Sequence, residues 1–137
     1  MSEEHYIDLH IHSMYSEDGE FTPLQLVEKC RQSGVRIMAI TDHNCVKANE
    51  EAQIAAEKAG IKYIPGIELN CDYQGIELHL LGYGIDFHDS AFTQIEENIA
   101  LQNQEASQKR LSLINKLGFH VTEEELDAIS DDGYWSK

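Results

Sequence analysis

The chain has 137 residues, 42% of them hydrophobic, and a formal net charge of −15 at pH 7. This length suffices for one domain with a hydrophobic core, and the charge argues against a general nucleic-acid-binding module because it repels a phosphate backbone. Cys30, Cys45 and Cys71 lack paired or Cys-x-x-Cys spacing, and no apolar stretch approaches the length of a membrane span. We therefore expect a reduced, cytoplasmic protein that binds neither duplex nucleic acid nor membranes.

Apolar strand-like runs alternate with helix signals in the first part of the chain. Strands are predicted at residues 6–11, 35–40, 61–70 and 76–83, and a hairpin turn at 72–75 joins the last two. Residues 22–25 combine an N-cap threonine, a proline and a capping-box glutamine, which predicts a helix that ends at Gly34 and has an apolar stripe of Leu24, Val27 and Cys30. A second helix is predicted at 46–59, closed by Gly60.

The βαβαβ order predicts an α/β fold in which at least the first three strands pair in parallel and are buried on both faces. Residues 90–117 have apolar side chains at helical spacing, which predicts one long helix or two, ending at Gly118. A capping box at 122–125 opens a short helix through Ile129. No strand follows, so we expect a truncated chain with two parts, residues 1–88 and 89–137.

Polar residues follow each of the first three predicted strands. His10 and His12 end the first strand, Asp42 and His43 follow the second, and Glu68 lies at the end of the third. Active sites form at the carboxyl ends of strands in parallel α/β proteins, so this coincidence favours a shared metal site. A His-x-His pair alone is weak evidence, because alternate residues of a strand share a face and also pack there without a metal.

Four motifs carry a family resemblance. Residues 8–13 (DLHIHS), 41–44 (TDHN), 65–70 (PGIELN) and 78–82 (LHLLG) resemble the first motifs of the PHP family, the polymerase and histidinol phosphatase domain. The resemblance covers roughly residues 6–88. It implies a partial distorted seven-stranded β/α barrel with a helical insertion, of which the carboxyl-terminal half is absent from this chain.

The resemblance also implies a set of metal ligands. His10 and His12 would bind a first ion, Glu68 would bridge the first and second, His79 would bind the second, and Asp18 and His43 would bind a third. Asp42 is interpreted as a residue that orients a ligand, in preference to direct ligation. Imidazoles and carboxylates suit Mn, Fe or Zn, so two or three such divalent ions are the expected cofactors.

The helical segment after residues 80–86 resembles stand-alone family members related to nucleoside 3′,5′-bisphosphate phosphatases. This implies a metal-dependent phosphoesterase that hydrolyses phosphate esters of nucleotides or short RNA or DNA by a metal-bound hydroxide. The alternatives are a histidinol-phosphate-type phosphatase and a non-catalytic metal-binding remnant. The family's later motifs have no counterpart here, and His120 is interpreted as a surface or packing residue. The chain is therefore expected to be weakly active or inactive by itself, and exposed strand edges favour self-association.

Overall fold

The computed structural model describes residues 6–129. The helices and strands in chain order are β1 (Tyr6–Ile11), α1 (Pro23–Gln32), β2 (Val35–Ile40), α2 (Ala48–Ala59), β3 (Lys62–Tyr63), β4 (Gly66–Tyr73), β5 (Ile76–Tyr83), α3 (Ser90–Lys116) and α4 (Glu123–Asp127). The chain divides into two compact units between Thr93 and Gln94. The fold is mixed α/β, and each unit is described by itself.

The first unit contains a parallel sheet in the order β1-β2-β3 and a separate antiparallel pair, β4-β5. Parallel pairing of the first strands was predicted and is confirmed. The third strand, expected as one run over residues 61–70, is instead divided into β3 and β4. Pro65 stands at the division and has no N–H to donate to a ladder, while its carbonyl accepts a hydrogen bond from the N–H of Gly84 (2.8 Å). The chain therefore leaves the parallel sheet and pairs with β5.

Helix α1 begins with the predicted capping box. The Thr22 hydroxyl accepts from the N–H of Gln25, and the Gln25 side chain accepts from the N–H of Thr22. The predicted apolar stripe is only partly right, because Leu24 is 53% exposed whereas Leu26 is buried with Val27 and Cys30. At about 100° per residue, Leu24 points almost opposite to Leu26, so both cannot face the core.

Helix α2 begins at Ala48, two residues later than predicted, and Gly60 ends it in the left-handed conformation (φ 71°). Ala48, Ala52 and Ala56 are fully buried and form the core with Met38 and Ile40 of β2. Because alanine side chains are short, α2 lies close to the sheet. This closeness brings Asn49 into contact with the segment that starts β4.

Asn49 is 1% exposed and fixes the first residue of β4. Its Nδ2 donates to the carbonyls of Val46 and Gly66 (3.0 Å each), and its Oδ1 accepts from the N–H of Gly66 (3.0 Å) and the hydroxyl of Tyr63 (2.9 Å). A buried amide with all these partners is a firm anchor. It holds the strand two residues before Glu68.

Strand β2 is buried, but β1 is not buried on both faces as predicted. Tyr6 and Ile7 are 52% and 62% exposed, and β1 is an edge strand among the described residues. The outer face of β5 is also exposed, with Ile76 and Leu80 each at 60%. The prediction of burial on both faces failed because an apolar sequence indicates that a strand has surface to bury but does not indicate which element covers that surface.

The described part of the second unit, residues 94–129, contains most of α3, a loop and α4. Residues 90–116 form one helix, α3, rather than two. Gly118 adopts a positive φ of 97°, and the Asn115 side chain exchanges two hydrogen bonds with the backbone of Val121, which closes the loop before α4. The predicted capping box of α4, from Thr122 and Glu125, is present. The predicted end of the chain after residue 130 lies outside the described residues. Among residues 6–129, no helix combines the length and apolar composition that a membrane crossing needs.

Candidate metal centre

Two imidazoles at the end of β1, one within the strand and one just after it, point at one carboxylate oxygen. His10 and His12 are alternate residues of the strand end and therefore share a face. Their Nε2 atoms lie 3.1 Å apart, and they lie 2.8 Å and 2.7 Å, respectively, from the same oxygen, Oε2 of Glu68. Glu68 is only 2% exposed, so these contacts meet in a largely enclosed position.

The backbone of β4 brings Glu68 to the end of β2. The N–H of Glu68 donates to the carbonyl of Asp42 (3.1 Å), and the N–H of Asn44 donates to the carbonyl of Glu68 (2.8 Å). His43 and Glu68 form an isolated parallel bridge. Hydrogen bonds therefore join the segment after β2 to β4 at the point where the polar residues lie.

The two oxygens of Glu68 face different imidazoles. Oε2 contacts His10 and His12, whereas Oε1 lies 2.9 Å from Nδ1 of His79 on β5. Burial acts to raise the pKa of Glu68, but the hydrogen bond from His10 and the charge of His43 outweigh it, so this pKa lies below its ordinary value. Glu68 is thus an ionised carboxylate placed between two groups of nitrogen donors.

Asp18 lies in the loop after β1 and faces the other side of His12. Its oxygens are 2.8 Å and 2.9 Å from Nδ1 of His12, and Oδ2 is 3.7 Å from Nε2 of His43. Burial acts to raise the pKa of Asp18, but the hydrogen bond and the charge of His12 outweigh it, so this pKa lies below its ordinary value. A carboxylate at Nδ1 favours the proton on that nitrogen, which would leave the Nε2 lone pair of His12 available to a cation.

Asp42 is buried and contacts two serines rather than an imidazole. Its oxygens accept from the N–H and hydroxyl of Ser13 (2.6 Å each) and from the hydroxyl of Ser16 (3.0 Å). The Ser16 oxygen in turn accepts from the N–H of His43 (2.9 Å). Asp42 therefore ties the end of β2 to the loop that carries Asp18. The orienting role that the sequence predicts for Asp42 would be exerted through Ser13 and Ser16, because Asp42 hydrogen-bonds to both serines.

The serines and one asparagine were not assigned a role from the sequence. Ser13 and Ser16 are buried polar residues in a loop of mostly polar composition, where nothing in the pattern predicts burial. The Oδ1 atom of Asn70 lies 2.8 Å from Nδ1 of His43. Gly19 closes the same loop so tightly that a Cβ there would collide with the Ser13 carbonyl. Only the proximity to the His and Asp motifs could have indicated these residues.

The donor atoms form three overlapping groups that suit cations. The groups are His10, His12 and Glu68; His12, Asp18 and His43; and His43, Glu68 and His79, with the donor atoms of each group within 4.8 Å of one another. Ligands at about 2.0–2.2 Å from one ion lie roughly 3 Å from each other, which is the spacing of the first group. Imidazole with carboxylate suits Mn, Fe or Zn. The residues present therefore fit the metal cluster that the sequence predicted.

The chain belongs to the PHP domain family, whose model matches residues 8–133. It is 34% identical over 103 residues to a 5′-3′ exoribonuclease of Haemophilus influenzae, covering 75% of this chain and 35% of the relative. It is 36% identical over 80 residues to a 3′,5′-nucleoside bisphosphate phosphatase of Chromobacterium violaceum, covering 58% and 28%. The family resemblance found in the sequence is thereby confirmed.

The fold is also similar to a solved structure. A putative metal-dependent phosphoesterase from Bifidobacterium adolescentis superposes with a TM-score of 0.69 at 26% identity, over 93% of this chain and 45% of that one. The chain thus spans about a third of the length of these two curated relatives and less than half of the solved structure.

Proposed function

We propose that this chain is the amino-terminal part of a metal-dependent phosphoesterase that hydrolyses phosphate esters of nucleotides or short oligonucleotides. The observation that carries the proposal is the placement of Glu68, whose two oxygens face separate imidazole groups. A carboxylate in this position can be shared by two cations. The exoribonuclease and the bisphosphate phosphatase among the relatives act on such esters, which favours nucleotides over other phosphate esters.

The ligand assignment is part of this proposal. The first ion would be bound by His10, His12 and Glu68, and the second by Glu68 and His79. Asp18 and His43 would bind a third ion. The metals would be Mn, Fe or Zn. Bound divalent ions in such sites lower the pKa of water for attack on phosphorus and neutralise phosphate oxygens. The protein's own contribution is orientation: Asp18 holds the Nδ1 proton of His12, and Asp42 holds the loop that carries Asp18.

The finer architecture is also proposed. Residues 1–88 would be the first part of a distorted seven-stranded barrel, and residues 89–137 a helical insertion. Among residues 6–129, β1 and β5 are edge strands, which supports a longer sheet that the rest of a longer protein or a second copy would complete. The chain has three cysteines, Cys30, Cys45 and Cys71, and this odd count without Cys-x-x-Cys spacing supports a reducing, cytoplasmic location.

The test compares the 137-residue chain with a protein extended to the length of its relatives. Both are assayed with Mn²⁺ on a nucleoside 3′,5′-bisphosphate, a 5′-phosphorylated short RNA and histidinol phosphate. We expect the longer protein to hydrolyse the bisphosphate or the RNA, and the 137-residue chain to be roughly a hundredfold slower, because small misplacements of reacting groups cost that much.

Matched variants identify the site. Glu68→Gln in the longer protein should abolish hydrolysis, whereas Glu57→Gln, on the exposed face of α2, should leave it unchanged. A preference for histidinol phosphate would favour the alternative phosphatase. Metal binding without turnover of any substrate would mean a non-catalytic module. Equal rates for the two proteins would contradict the view that the remaining length completes the site.

A further inference from the structure

We propose that Asn70 is a positioning residue that makes His43 offer Nε2, and not Nδ1, to a cation. The inference rests on the proposed metal-dependent function. Nδ1 of His43 lies 2.8 Å from Oδ1 of Asn70, and Nε2 lies 3.7 Å from Oδ2 of Asp18. Asn70 therefore contacts one nitrogen of the ring while the other faces a carboxylate.

His43 stands between two donor groups and can serve only one of them. It belongs to the group with His12 and Asp18, and also to the group with Glu68 and His79. A neutral imidazole carries a proton on one nitrogen and a lone pair on the other. The position of that proton decides which cation receives the lone pair.

The Asn70 oxygen makes this choice. An amide oxygen only accepts hydrogen bonds, so the Nδ1 opposite it must carry the proton. Nδ1 is also the nitrogen nearer to Glu68, at 3.7 Å from Oε2. The lone pair is then left on Nε2, which assigns His43 to the ion proposed at Asp18 and withdraws it from Glu68 and His79.

Asn44 holds Asn70 in place for this contact. The backbone N–H of Asn70 donates to Oδ1 of Asn44 (3.0 Å), and the N–H of Asn44 donates to the carbonyl of Glu68 (2.8 Å). Asn44 has a φ of 52°, a left-handed conformation that asparagine adopts more readily than most residues. Asn70 is also two residues beyond Glu68 and so rises from the same face of β4. The turn after His43 and the strand β4 are therefore connected through both asparagines.

The tautomer of His43 can be measured without metal or substrate. Ring ¹⁵N shifts of the metal-free protein are recorded at about pH 8, where an ordinary imidazole is neutral. We expect the Nδ1–H form in the wild type and in Asn70→Asp, which keeps an acceptor oxygen. Asn70→Leu has a similar size but no acceptor, so the Nδ1–H preference should weaken. Cys71→Ala, at the neighbouring exposed position, is the control and should match the wild type.

Mn²⁺ titration gives a second readout. Loss of a residue that hydrogen-bonds to a metal ligand typically weakens metal binding by about 10- to 100-fold. Asn70→Leu should therefore lower the affinity for one Mn²⁺ ion by this factor and leave the affinity for the others unchanged. Asn44→Gly keeps the backbone conformation but removes the oxygen that holds Asn70. It should therefore also lower the affinity for that one Mn²⁺ ion. This second variant keeps the test open if Asn70→Leu folds poorly.

The results separate this inference from the proposed function. An Nε2–H ring or an equal mixture of tautomers in the wild type would overturn the inference, as would identical rings in the wild type and both Asn70→Leu and Asn44→Gly. Unchanged Mn²⁺ affinity in both variants would do the same. A protein that binds no Mn²⁺ at all would overturn the proposed function, while the tautomer measurement would still decide the role of Asn70.

Discussion

The carboxylate of Asp42 accepts two hydrogen bonds from Ser13, one from its backbone N–H and one from its hydroxyl, both at 2.6 Å. Both residues are almost completely buried. Ser13 directly follows His12, so this contact fixes the loop that leaves β1 against the end of β2. The orientation of the His12 and Asp18 pair depends on a residue that contacts neither.

Substitution of Asp42 by Ala should therefore destabilise the metal-free protein. Ser13 and Ser16 would keep buried donors without acceptors, at about 1–3 kcal/mol each, so the free energy of unfolding should fall by roughly 3 kcal/mol or more. Urea unfolding followed by circular dichroism measures this change. Glu57→Ala on the exposed face of α2 is the control and should stay within about 0.5 kcal/mol. A loss below about 1 kcal/mol for Asp42→Ala would mean that these hydrogen bonds do not hold the loop.

Removal of two central donors should reduce bound metal. The double variant His10→Ala, Glu68→Gln removes an imidazole and the shared carboxylate from the first group. Loss of a residue that only supports a ligand weakens metal binding by up to about 100-fold, so the affinity of the first group for metal should fall by more than this factor. Elemental analysis after purification without chelator measures the content. His120→Ala, an exposed histidine in residues 94–129, is the matched control. Equal metal content in the double variant and the wild type would contradict the site.

Chelation should lower the melting temperature. A cation that binds only the folded chain at a hundred times its Kd stabilises it by about 2.7 kcal/mol. For a chain of this size, that corresponds to a Tm shift of roughly 10 °C. Thermal melts with excess Mn²⁺ and with EDTA provide the comparison, and the His10→Ala, Glu68→Gln variant should shift much less. If the wild-type curves coincide, metal binding is not coupled to folding.

The ion pair on α1 gives a prediction for pH. Hydrogen bonds from Arg31 and then Gln32 lower the pKa of Glu28 to about 2. Because the folded pKa is depressed, its contribution to stability is present above the ordinary pKa of 4.5 and is lost as pH falls towards about 2. An NMR titration of the carboxyl should show this value, and Arg31→Leu should raise it towards 4.5. An unchanged pKa in Arg31→Leu would exclude the guanidinium as the main cause.

Local features were predictable because they depend on residues a few positions apart. The capping box of Thr22 and Gln25 and that of Thr122 and Glu125 both formed as expected, since each joins residues three positions apart. Strand β2 was also predicted with its observed bounds. The chemical nature of the donor groups, imidazole and carboxylate at strand ends, was likewise readable from the sequence.

The tertiary structure decided which donor faces which. Oε2 of Glu68 meets Nε2 of His12 across 56 residues of chain, and that contact depends on the break at Pro65 and the anchor at Asn49. The roles of Asp42 and Asn70 arose in the same way, because their partners come from other elements of the fold. Spacing along a chain specifies helices, turns and the faces of strands. The direction in which a buried carboxylate presents its oxygens follows only from the packing that surrounds it, so the sequence determined the types of donor group and the fold determined which of them lie together.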